Sequence, residues 1–200
     1  MAEISAALVK ELREKTGVGM MDCKNALVEA GGDLDKAVDF LRTKGRAKAE
    51  KRAGKSVQEG IVESYIHPGN KLGVLVELNC ETDFVAKTDD FKNLAQALAM
   101  QIAASNPLVV GREELDVELI NHELEIYKEQ ARNEKKPENI IEKIAQGKIE
   151  KYYKEVCLLE QVYIKDSSLT VNDLLADCKS KLGENVQISR FSRYRLGEGN

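Results

Sequence analysis

The chain has no tryptophan and only four phenylalanines among its 200 residues. Large aromatic side chains are therefore scarce, and each one needs a reason for its place. No apolar run reaches the roughly 18 residues that a membrane-crossing helix requires, so no segment is expected to span a bilayer. Met1-Ala2-Glu3-Ile4 leads directly into a helical pattern instead of a charged-then-apolar leader, and a cytoplasmic location is expected. The two histidines, His67 and His122, lie far apart, and Cys23, Cys80, Cys157 and Cys178 contain no Cys-x-x-Cys pair. Metal-ligand spacing is thus missing, no metal or other cofactor is expected, and the cysteines read as small buried hydrophobes. A phosphate-binding glycine loop and a Gly-x-Ser-x-Gly elbow are also lacking, and Cys80 beside Glu81 has no base placed near it. The expectation is a protein that is not an enzyme. The net charge of −4 is modest and argues against a chain built wholly around a nucleic-acid backbone.

What is present is a helix-rich, highly charged chain, 42% apolar and 32% charged, with room for one or two domains. Residues 4–44 read as three short helices. Ser5 caps the first and Gly17 ends it; the second stops at Gly31-Gly32; Asp33 caps the third and Gly45 closes it. Met20 and Met21 sit beside the Gly17-Val18-Gly19 loop, where they either fill gaps in a small core or form a flexible partner-binding surface. Residues 44–56 carry six basic side chains and one acid. They read as a solvated linker, open to helix in its first half, with attraction to RNA or an acidic partner as the alternative.

Residues 60–79 alternate as a hairpin around the turn His67-Pro68-Gly69-Asn70, with Leu72, Val74, Val76 and Leu78 lining one face. His67 reads as an exposed turn residue. A helix capped by Asp89 or Asp90 carries Leu94, Ala95, Leu98 and Ile102 and ends at Asn106-Pro107. The patterns over 116–135 and 138–156 have narrow apolar stripes and charged flanks, as in an antiparallel helical hairpin that projects from a body. A further helix over 171–182, with Ser168 or Thr170 as its cap and Gly183 as its stop, precedes a last strand, 186–194, whose inward phase slips between Ile188 and Phe191. The fold class expected is α+β: an N-terminal three-helix bundle, then a small antiparallel sheet packed with helices, plus the helical hairpin.

The stretch Asn79-Cys80-Glu81-Thr82-Asp83-Phe84-Val85-Ala86-Lys87-Thr88-Asp89-Asp90-Phe91 places two of the four phenylalanines at a strand-to-helix corner. Phe91 falls in phase with Leu94, Leu98 and Ile102 and reads as core. Phe84 has no such partner: either it pins the corner or, flanked by Asp83 and Lys87, it projects as an apolar plug. With no catalytic set in the chain, contact is the job left for it.

Two motifs carry a resemblance. Leu8-Val9-Lys10-Glu11-Leu12-Arg13 followed by Thr16-Gly17-Val18-Gly19-Met20-Met21-Asp22-Cys23-Lys24 resembles the amino-terminal module of bacterial elongation factor Ts. Thr82-Asp83-Phe84-Val85-Ala86-Lys87 resembles that family's second signature, in the same order and spacing, and the similarity runs over essentially the whole chain. The resemblance implies a guanine nucleotide exchange factor for elongation factor Tu, the GTPase that delivers aminoacyl-tRNA to the ribosome. It implies a ubiquitin-associated-like domain with its basic linker over 1–53, and an α+β core and dimerisation domain over 54–200 that includes the hairpin 116–156. Met20 and Met21 would contact the GTPase domain. Asp83 and Phe84 would enter near its nucleotide and magnesium site, Thr82 and Val85 beside them would belong to the same partner-binding signature, and His67 would lie near the partner. Both the GDP-bound and the nucleotide-free partner would be bound, with no direct nucleic-acid or membrane contact.

Longer family members carry a second copy of the core sheet and a further helical module, whereas this chain ends at Gly197-Glu198-Gly199-Asn200. It resembles the short form, in which two chains pair, and a homodimer through the small sheet and its covering helices is expected. The competing expectation is an RNA-associated translation adaptor using the basic linker and the C-terminal strand with Arg190, Arg193 and Arg195.

Overall fold

The computed structural model describes residues 4–52 and 54–198, except the side chains of 46 and 48–52. The chain forms α1 (Ala6–Thr16), α2 (Met20–Glu29), α3 (Leu34–Arg52), β1 (Glu59–Ile66), β2 (Leu72–Cys80), α4 (Asp83–Ala86) and α5 (Asp89–Ser105). It continues through α6 (Val117–Asn133), α7 (Glu138–Val156), β3 (Val162–Tyr163), β4 (Asp166–Thr170), α8 (Val171–Leu182) and β5 (Val186–Arg195). Among the described residues the result is a mixture of eight α-helices with a small antiparallel sheet in the order β1-β2-β5, and a separate two-stranded ribbon β3-β4.

Local chemistry sets the helix ends. Ser5 Oγ accepts from the Leu8 amide at 3.2 Å, and Gly17, at φ 69°, closes α1 in the left-handed region that costs glycine nothing. Asp33 Oδ1 accepts from the Asp35 and Lys36 amides, both at 3.1 Å, at the start of α3. α3 does not stop at Gly45, contrary to the expectation, but runs on to Arg52. Gly45 is buried, and a Cβ there would lie 2.5 Å from Ser180 Oγ and 2.9 Å from Ser180 Cβ on α8. Its glycine serves close helix approach and not termination. The basic run is therefore helical up to Arg52; residue 53, the expected domain edge, lies outside the described residues.

α5 also begins differently from the expectation. Its cap is Thr88, whose Oγ1 accepts from the Phe91 amide at 3.3 Å while donating to the Val85 carbonyl at 2.8 Å. The carboxylates of Asp89 and Asp90 stand instead in the first turn, where negative charge suits the helix dipole. The ribbon β3-β4 is an addition to the elements expected from the sequence pattern.

Contacts divide the chain into two compact units. The first comprises Met1–Ile61, Leu78–Ala95 and Asp173–Gln187. Its amino-terminal part buries Val9, Leu12, Cys23, Ala26, Leu27, Ala37 and Leu41 as one cluster between α1, α2 and α3. The second comprises Val62–Glu77, Gln96–Asn172 and Ile188–Asn200. There α6 and α7 bury a narrow seam of Ala131, Ile141, Ala145 and Ile149. Small alanines on this seam permit close approach, and ion pairs such as Lys128–Glu142 at 3.1 Å run outside it. Arg112 lies over the Tyr153 ring at 4.1 Å and binds the carboxylates of Glu150 and Glu160, joining α7 to the segments on either side of the pair.

In β2 the buried residues Val74, Val76, Leu78 and Cys80 alternate with more exposed ones, the period expected of a strand with one covered face. In β5 burial alternates only as far as Ile188. Ser189 and Arg190 are then both exposed, which is the phase slip seen in the sequence.

Candidate partner-binding site

The corner after β2 presents Phe84. The residue is 78% exposed, although those that follow, Val85 and Ala86, are buried. Exposing a phenylalanine to this degree forfeits most of the 1.5–3 kcal/mol or so that burying it would contribute. α4 is a single turn of four residues, too short to hold itself together by propagation of helix bonds. Tertiary ties support it instead. Thr82 is its N-cap: Thr82 Oγ1 accepts from the Val85 amide at 3.5 Å and donates to Glu184 Oε1 at 2.7 Å. Glu184 Oε2 accepts from the amides of Glu81 and Thr82, both at 3.1 Å.

The adjacent carboxylate completes the arrangement in the opposite direction. Glu81 Oε1 accepts from the Asn185 amide at 2.7 Å, and Glu81 Oε2 pairs with Lys55 Nζ at 3.4 Å. Asn185 Nδ2 donates to the Lys55 carbonyl at 2.9 Å. Three segments far apart in sequence thus converge behind α4: the stretch after α3, the corner 81–82, and the loop between α8 and β5. Cys80, at the end of β2, is buried, and its thiol donates to the Thr82 carbonyl at 3.1 Å. Burial, reinforced by the charge of Glu184, raises the Cys80 pKa, so the thiolate needed of a nucleophile is disfavoured.

On the outer side of the turn, Lys87 Nζ donates to Asp83 Oδ2 at 2.5 Å and lies 5.9 Å from the Phe84 ring centre. The hydrogen bond from Lys87 holds the Asp83 carboxyl below its usual range and raises the Lys87 pKa in return. Phe84 is therefore an apolar ring flanked by one fixed carboxylate and one ammonium.

The other sequence-selected residues fall as follows. Met20 and Met21 open α2 after Gly19 and are 44% and 69% exposed. They lie in the same compact unit as Phe84 and outside the buried cluster beneath α2. Val85 is only 9% exposed, so its side chain supports the turn from below. His67 is exposed at the β1-β2 turn, with its amide donating to the Leu72 carbonyl at 2.9 Å and its Nδ1 3.0 Å from the Tyr65 hydroxyl. It belongs to the second unit. All four cysteines are free and buried, as their scatter indicated. Glu184, Asn185 and Lys55 are not singled out by sequence reasoning. Their only signal is an acidic residue directly after the Gly183 helix stop, which by itself reads as a solvated loop.

Comparison with known proteins bears on what this corner serves. The family pattern described as elongation factor TS matches residues 47–198. The chain is similar over its whole length to elongation factor Ts of Desulforamulus reducens, at 60% identity, covering 92% of that protein. It is 59% identical to elongation factor Ts of Anaeromyxobacter sp. strain K, again over all of this chain and 91% of the relative. For elongation factor Ts of Desulfosudis oleivorans the identity is 57%, over 99% of this chain and all of the relative. The pattern begins within α3, while the relatives extend the likeness through the methionine-bearing bundle. With the exposed Phe84 signature inside the matched region and whole-chain identity on either side of it, this chain belongs to the elongation factor Ts family.

Proposed function

We propose that the chain is a guanine nucleotide exchange factor that promotes GDP release from elongation factor Tu in the cytoplasm, binding both its GDP-bound and its nucleotide-free form. The observation that carries this reading is Phe84, 78% exposed on a turn otherwise anchored in the core. Phe84 and Asp83 insert near the nucleotide and magnesium site, where an apolar ring and a fixed carboxylate disturb phosphate and metal contacts. Thr82 and Val85 hold the turn, Met20 and Met21 grip the GTPase domain, and His67 is a further contact. On this reading residues 1–53 form a ubiquitin-associated-like module, residues 54–200 form the core, and the helical hairpin 116–156 projects from that core.

Magnitudes limit what one ring can do. Burying Phe84 supplies about 1.5–3 kcal/mol, equivalent to about tenfold to a hundredfold if fully coupled to nucleotide loss. Coupling is reciprocal, so nucleotide weakens the factor by the same amount that the factor weakens nucleotide. The methionine contacts and the core must therefore supply the rest. Release of fluorescent GDP from elongation factor Tu tests the assignment: the rate is expected to rise steeply with this protein and to saturate. An unchanged rate at micromolar protein overturns it.

We further propose that two chains pair through the small sheet. Val62, Leu75 and Phe191 line an open depression of about 190 Å³, and Val62 and Leu75 are both exposed. Glu77, Arg190 and Ser192 also line it, and an uncovered sheet surface of apolar side chains beside a charged pair is what a second copy would cover. Light scattering at micromolar concentration is expected to return the mass of two chains; the mass of one removes the dimer. The RNA-adaptor reading gains less support. Arg190 pairs with Glu77 at 2.8 Å, and Arg193 and Arg195 both pair with Glu198, at 2.9 Å and 3.4 Å. Charge already matched inside the chain draws phosphate weakly.

A further inference from the structure

We infer that Glu184, a residue that touches no partner on the proposed reading, is a positioning residue for exchange: it sets the direction in which Phe84 is presented. The inference rests on Phe84 acting as the wedge. It follows from the geometry behind α4. A four-residue turn has almost no intrinsic persistence, so something outside it must fix its orientation. Glu184 provides three of the bonds that do so, accepting from the Glu81 amide, the Thr82 amide and the Thr82 hydroxyl.

The third bond has a second effect. Because Thr82 Oγ1 donates its proton to Glu184, its lone pairs are left to accept from the Val85 amide, which is the capping bond of α4. Glu184 therefore orders both the entry to the turn and the cap that closes it. The return bonds, from the Asn185 amide to Glu81 and from Asn185 Nδ2 to the Lys55 carbonyl, make the arrangement reciprocal. Neither carboxylate can swing away without releasing amides of the other segment. The Lys55–Glu81 pair adds only a small contribution because the lysine is largely solvated.

Without Glu184 the Phe84 ring keeps its chemistry and loses its direction. Binding of the partner, which Met20 and Met21 share, changes little, whereas the step that expels GDP slows. A merely stabilising residue would lower the melting temperature and leave the exchange of the folded fraction intact.

The experiment measures GDP release from elongation factor Tu against concentration of the full-length protein for wild type, Glu184→Ala, Glu184→Gln, Phe84→Ala and the double variant Phe84→Ala/Glu184→Ala. Far-UV circular dichroism and thermal melts follow each variant. Glu184→Ala removes all three bonds, and its plateau rate is expected to fall by at least about tenfold, the effect of losing a single charge-assisted hydrogen bond. Its half-saturating concentration should move less than about twofold, on the same free-energy scale. Glu184→Gln, which keeps one accepting oxygen and nearly the same volume, should fall between the two, and it decides the matter if the alanine variant does not fold. In the Phe84→Ala background the Glu184 substitution should have no further effect on the plateau. A wild-type plateau for both Glu184 variants overturns the inference while leaving Phe84 as the wedge. So does an equal loss with and without the Phe84 ring. If Phe84→Ala itself matches wild type, it is the wedge reading that fails, and the two failures are told apart.

Discussion

Replacing Phe84 with alanine is expected to reduce the plateau rate of GDP release by about tenfold to a hundredfold, the range set by the free energy of burying one phenylalanine ring. Stability should change by less than about 0.5 kcal/mol, as for other exposed positions. Phe84 is 78% exposed and has little buried surface to lose, while its neighbours Val85 and Ala86 are buried and keep the turn seated. The loss should appear in the plateau more than in the half-saturating concentration, because removing an interaction made only as nucleotide departs lowers the rate and leaves the affinity for the GDP-bound partner nearly unchanged. Stopped-flow release of fluorescent GDP, paired with a thermal melt, reads both quantities. Equal plateaus for variant and wild type would dismiss the wedge, although the family assignment would stand.

Replacing Phe91, seven residues later, should do the opposite. Phe91 is fully buried in the first turns of α5, among the largest side chains of the interior. Its own amide makes the Thr88 capping bond. Phe91→Ala leaves a cavity the size of a ring and should cost about 3–5 kcal/mol in urea or thermal unfolding. That is a large share of the total stability of a domain of this size. Whatever fraction remains folded should still accelerate GDP release, because the wedge itself is intact. A loss under about 1 kcal/mol would show that the site collapses around the missing ring, and that Phe91 anchors less than its burial implies.

These two side chains also mark how far the sequence can be read. Helical phase alone separates them, since Phe91 shares one with Leu94, Leu98 and Ile102 and Phe84 shares one with nothing. The His67-to-Asn70 turn, the Gly17 cap and the Gly183 stop are legible for a similar reason: each is written in a few consecutive residues. Gly45 misleads because a glycine at a helix end and a glycine at a helix crossing look alike without the neighbour, here Ser180, 135 positions away. The cap of α5 is expected at Asp89 or Asp90, since acids often cap. Thr88 takes the position because its hydroxyl can bond to the preceding turn and the following helix at once. The support behind Phe84 is not legible at all. Glu81 and Glu184 meet across more than a hundred residues, and nothing in the spacing of either announces the other.

The unbroken course of α3 through Gly45 has a bearing on how the chain tolerates change. A flexible tether absorbs an extra residue by growing a little longer. A helix cannot, because each added residue advances it by about 1.5 Å and turns it by about 100°. A single insertion between Gly45 and Arg52 would therefore rotate the methionines on α2 about the axis of α3 as well as displacing them. The segment behaves as a screw whose phase matters, so insertions or deletions of three or four residues, about one whole turn, should be far better tolerated than single ones.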